Sequence, residues 1–78
     1  MPVYQILTPR HACAARAVLG MSVRELANES GLSESAIRRI EGDTASLEMR
    51  ARLQDWYLAR GLAFIFEPTR HGVVWKVD

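Results

Sequence analysis

Ser22-Val23-Arg24-Glu25-Leu26-Ala27-Asn28-Glu29-Ser30-Gly31-Leu32-Ser33-Glu34-Ser35-Ala36-Ile37-Arg38-Arg39-Ile40-Glu41-Gly42 is the stretch that decides the fold. Ser22 with Glu25 three positions later is the capping-box pattern that opens a helix. Leu26 and Ala27 point inward on that helix, and Gly31 supplies a turn. Ser33 caps a second helix, whose buried stripe is Ala36, Ile37 and Ile40; Gly42-Asp43 then breaks it. Two short helices joined by a tight turn allow one helix to lie in a DNA groove while the other braces it. The charge of the stretch does not favour phosphate, because three arginines stand against four glutamates, a net −1.

The flanks extend the helical pattern in both directions. Thr8 can cap a helix that starts at Pro9, where the missing N–H does no harm. The alanine-rich run to Leu19 is a good helix former, and Gly20 can end it. Ser46 caps a fourth helix with an apolar face of Leu47, Leu53, Trp56 and Tyr57, and Gly61 stands where a C-terminal glycine is expected. Beyond Gly61 the period changes. Residues 62–67 and 73–77 are rich in aromatic and β-branched residues and flank a five-residue loop, 68–72, so they predict a β-hairpin. Val3-Tyr4-Gln5-Ile6 is read as a third strand beside it. The expected fold is mainly α: a four-to-five-helix domain with a helix-turn-helix core at 9–60 and a C-terminal β-hairpin at 62–77.

Length and composition fit one domain over residues 1–78. The chain has 78 residues, 49% hydrophobic and 24% charged, which is a globular composition with a modest core that dimerisation would help. The single Cys13 cannot form an internal disulfide, which points to a reducing, cytoplasmic setting. Its neighbours Ala12, Ala14 and Ala15 suggest a small buried thiol on a helix face. No apolar run approaches the ~20 residues that cross a bilayer, and residues 1–5 do not read as a signal peptide. His11 and His71 lack companion ligands, so no metal site or cofactor is expected. There is no glycine-rich phosphate loop, no paired-carboxylate arrangement and no nucleophile–base pair, so no enzyme is expected either.

The spacing of Leu26-Ala27, Gly31-Leu32-Ser33, Ile37 and Ile40-Glu41-Gly42 resembles the helix-turn-helix of the Cro/phage-repressor (XRE-type) family of small bacterial or phage transcription regulators. The resemblance covers residues 9–60, and small bacterial members often end in a hairpin like 62–77. It implies that Ile37 and Ile40 hold the recognition helix against Leu26 and Leu32. It also implies that Glu34, Ser35 and Arg39 face base edges, with Arg38 nearer the backbone and Ser33 and Arg24 completing the DNA-binding set. The chemistry agrees in part: arginine can donate two hydrogen bonds to guanine, and a glutamate can accept from cytosine N4.

Two positions depart from the family pattern. Val23 stands where a phosphate-binding glutamine is common and cannot donate. Glu34 places a negative charge near phosphates, although it also complements the positive end of its own helix. The expected function is a sequence-specific transcriptional regulator, a repressor that binds double-stranded DNA as a homodimer on a two-fold operator. The alternative is a helix-turn-helix module that binds another regulatory protein, as an antiactivator, antirepressor or antitoxin.

The hairpin supplies the expected oligomer or partner surface, through Phe64, Phe66 and Trp75. Residues 62–67 are apolar on both faces; Phe64 and Phe66 share one, and Ile65 points the other way, leaving apolar surface for a second copy of the chain. Arg50, Arg52 and Arg60 read as solubilising charges on the fourth helix.

Overall fold

A hydroxyl side chain opens every helix, and these caps set the element boundaries. The computed structural model describes residues 5–67 and 70–75, with the backbone alone for Glu67, Arg70, His71 and Trp75. Helix α1 spans Pro9–Leu19, α2 Val23–Ser30, α3 Glu34–Glu41 and α4 Leu47–Ala59, followed by strands β1 (Leu62–Glu67) and β2 (Arg70–Trp75). Thr8, Ser22, Ser33 and Ser46 accept from the backbone N–H three residues on, at 3.3, 3.1, 3.0 and 3.2 Å. Each cap satisfies one N–H that the helix cannot pair internally. Gly20 and Gly31 close α1 and α2 with φ of 67° and 80°, a left-handed conformation that side chains resist.

The mainly helical fold with a C-terminal antiparallel hairpin is the one the sequence predicts. Ile37 and Ile40 from α3 meet Leu26 of α2, Ala12 and Ala15 of α1, and Leu53 and Tyr57 of α4 in one core. Leu7, just before α1, and Leu62, at the start of β1, belong to the same buried core. Leu32, Val23 and Met49 pack around its edge. The hairpin rests on the helices, with β2 against α1 and β1 against α4.

Several expectations change. Strand β2 begins at Arg70, and the register pairs Glu67 with Arg70 and Leu62 with Trp75. The expected five-residue loop therefore shrinks to two residues, because backbone pairing continues through polar Arg70-His71-Gly72 irrespective of side-chain polarity. Gln5 and Ile6 are not in a strand; Val3 and Tyr4 lie outside the described residues, as do 76–77 of the predicted hairpin. Leu47 is 61% exposed, since the first residue of α4 projects beyond the core. Cys13 is exposed. The buried side of α1 is His11, Ala12 and Ala15, and the helical turn carries position 13 off that side.

Candidate nucleic-acid interface

α2 and α3 meet across the Gly31 turn with their apolar sides consumed. Leu26, Ile37 and Ile40 are fully buried and Ala36 nearly so. That fixes which side of α3 faces outward. Ser35, Arg38 and Arg39 are exposed there, and Arg24 is exposed on the first turn of α2. Ser33 is exposed too, but its oxygen accepts from Ala36 N–H as the cap. Thr44 N–H donates to the Arg39 carbonyl at 2.9 Å, and the left-handed Asp43 (φ 63°) turns the chain toward α4.

The structure redistributes the charge of this region. Glu41 accepts two hydrogen bonds from Arg16 of α1, Nε to Oε2 at 2.9 Å and Nη2 to Oε1 at 3.1 Å. Arg16 also donates to the Met21 carbonyl at 3.1 Å, and its partner Glu41 holds the guanidinium pKa above its ordinary value against the opposing effect of burial. Glu25 accepts from Ser22 N–H at 3.0 Å, and that backbone bond depresses its carboxyl pKa. Glu34 pairs with Arg38 four residues along, 3.4 Å apart. Three of the four glutamates are thus engaged within the chain. Among the described residues no carboxylate pairs with Arg24 or Arg39, so those two present full positive charge outward.

Beside the α2–α3 turn, Leu32, Ser46, Glu48, Met49 and Arg52 line a cleft of about 230 Å³. Its lining mixes apolar Leu32 and Met49 with polar Ser46 and charged Glu48 and Arg52. Below α3, the Tyr57 hydroxyl is buried with no hydrogen-bond partner among the described residues. Burial pushes its pKa above the ordinary phenol value, with the Glu41 charge adding to the effect. Burial likewise raises the Cys13 thiol, which donates to Glu41 Oε1 at 3.4 Å. That makes it a poor nucleophile.

The described aromatic residues of the hairpin make contacts within their own chain. Phe64 and Phe66 turn onto α1 of their own chain, with ring centroids 5.6 and 4.6 Å from the His11 ring. Phe64 also meets Tyr57 edge-on at 6.1 Å. Both stay half-buried, so part of each ring remains open to solvent. Trp75 pairs in register with Leu62, and its side chain lies outside the described residues. The outward hairpin side carries Ala63, Ile65 and Val74, of which Val74 is 45% exposed.

Two structural residues were not found in the sequence reading. His11 is 1% exposed and joins α1 to the hairpin; its signal was the third position of a capping box, usually held by Glu or Gln. Arg16 reaches Glu41 across 25 positions, which no local pattern reveals. No protein-family model and no curated protein matches this chain.

Proposed function

We propose that this chain is a sequence-specific DNA-binding regulator of the Cro/phage-repressor kind, acting in the cytoplasm as a homodimeric repressor. One observation carries the reading. The α2–α3 pair spends every large apolar residue on its own core and leaves a polar outward face on α3, with unpaired Arg39 and, on α2, unpaired Arg24. A helix exposed in this way has the dimensions of a major groove and the donors to read guanine. Two copies related by a two-fold axis would reach half-sites about 34 Å apart. Occupancy of the operator would follow protein concentration.

Fluorescence anisotropy against the region upstream of its own gene tests this. Saturable binding that exceeds binding to random duplex, and weakens as salt rises, is expected. Binding no tighter than to random DNA overturns it.

The Glu34–Arg38 pair favours a second reading, because it spends one of three outward arginines inside the helix. In that reading the surface binds another regulatory protein. Complex formation that survives Arg39→Ala but is lost on Val74→Asp supports it. Val74 serves here because Phe66 is tied to His11.

A further inference from the structure

We propose that Glu34 sets the specificity of α3 by exchanging partners: it holds Arg38 on random duplex and lets it go where a cytosine N4–H can replace it. The inference rests on the DNA-binding reading above and names the residue that separates target from random sequence. Burial of Ala36, Ile37 and Ile40 leaves α3 with two outward shoulders. At about 100° per residue, Glu34 and Arg38 share one shoulder, within about 40° of each other, while Ser35 and Arg39 share the other. The first is closed on itself, with Arg38 Nη2 donating to Glu34 Oε1 at 3.4 Å. The second stays open. Ser35 and Arg39 are exposed, and among the described residues no carboxylate pairs with Arg39.

The closed shoulder opens at small cost. Its Arg38 and Glu34 side chains are 65% and 41% exposed, and a solvated pair four residues apart is weak. Glu41, the other acid of α3, is held by Arg16, so Glu34 is the carboxylate this helix can bring to a base. In the major groove cytosine offers an N4–H donor, whereas the guanine and thymine edges offer acceptors. Adenine sets its donor beside an acceptor. A carboxylate accepts from cytosine and is repelled by the acceptors of the other bases.

Two effects follow from the one exchange. On a duplex without that donor Glu34 keeps Arg38, its charge opposes nearby phosphates, and attraction rests on Arg24 and Arg39. Where the donor is present, the carboxylate turns to cytosine and the freed Arg38 neutralises a phosphate. Base reading and phosphate contact are thereby coupled, and random sequence loses both together. The base contact is worth about tenfold in affinity. The added phosphate contact steepens the dependence of log affinity on log salt by about one.

Anisotropy titrations of the full chain over a salt series test the proposal, against a duplex enriched from a randomised pool by repeated binding and against the unselected pool. The original chain is expected to show a salt slope steeper by about one on the enriched duplex than on the pool. Glu34→Ala is expected to bind the pool more tightly, with a slope steeper by about one, and the enriched duplex about tenfold more weakly. Selection repeated with Glu34→Ala is expected to lose a cytosine at one position. Arg38→Ala is expected to cost more on the enriched duplex than on the pool and to remove the difference in slope. A pair that only stabilised α3 would shift the melting temperature of both variants and leave all the slopes equal. Equal slopes, Glu34→Ala binding the pool no better, the same cytosine selected again, or equal losses for Arg38→Ala on both probes overturn the proposal and leave the DNA-binding reading standing. A pool that yields no enriched duplex overturns both. Should Glu34→Ala not fold, the slopes of the original chain and of Arg38→Ala decide.

Discussion

Tyr57 shows how a single atom can work against its own residue. Its ring is fully buried and joins Phe64 and Trp56, yet its hydroxyl finds no partner among the described residues. A buried hydroxyl without a hydrogen bond costs about 1–3 kcal/mol. Tyr57→Phe is expected to leave stability unchanged or raise it by up to about 1 kcal/mol, read as the urea midpoint at constant slope. Glu25 gives the opposite case, because its carboxylate form is the one bonded to Ser22 N–H. Its depressed pKa means the cap's contribution is fully present above the ordinary carboxylate range and is lost as pH falls through the lowered value. Thermal melts from pH 6 to 2 are expected to show a smaller loss for Glu25→Gln, which keeps an acceptor and cannot titrate. Of the candidate site residues, Ser33, Ser35, Arg38 and Arg39 were readable as outward-facing from the stripe of Ala36, Ile37 and Ile40. The inward turn of Phe64 and Phe66 was not, because alternation separates two faces without saying which meets the core.

At the scale of elements, α1 and α3 are joined by one partly buried ion pair. Arg16 and Glu41 make two short hydrogen bonds, with side chains 27% and 11% exposed. Such a pair exceeds a surface salt bridge because solvent screens it less. A double-mutant cycle on Arg16→Ala and Glu41→Ala is expected to give a coupling of about 1–3 kcal/mol in denaturation free energy. A value near zero would mean that packing alone sets the α1–α3 angle. The helix starts were legible because capping acts over three residues, and all four caps stand where the sequence puts them. The hairpin was legible as a pair of strands, but its loop was not. Side-chain polarity marked 68–72 as a turn, while the backbone ladder extends to Arg70 and leaves two residues.

The whole molecule decides what a phosphate backbone would meet. By sequence the central stretch is net negative, but Arg16 arrives from α1 to hold Glu41, and the caps engage Glu25 and Ser33. The outward charge is then set by Arg24, Arg39, the Glu34–Arg38 pair and the exposed Glu29. On the proposed operator, Arg39→Ala is expected to cost about 1–3 kcal/mol and to relax preference at one base pair. Arg24→Ala is expected to weaken specific and random DNA alike and lower the salt slope by about one. Equal losses for both variants on both duplexes would assign Arg39 to the backbone.

The sequence by itself determined the helices, their caps, the turn at Gly31 and the apolar positions of residues 22–42. Those depend on contacts within about four residues, where chain connectivity keeps partners close. The tertiary structure alone decided the rest: Arg16 on Glu41, His11 between Thr8 and Ile65, Phe64 and Phe66 turned onto α1, and Cys13 and Leu47 left outside. Each of those depends on groups distant along the chain, or on which side of an element the core lies. No spacing rule reaches that far.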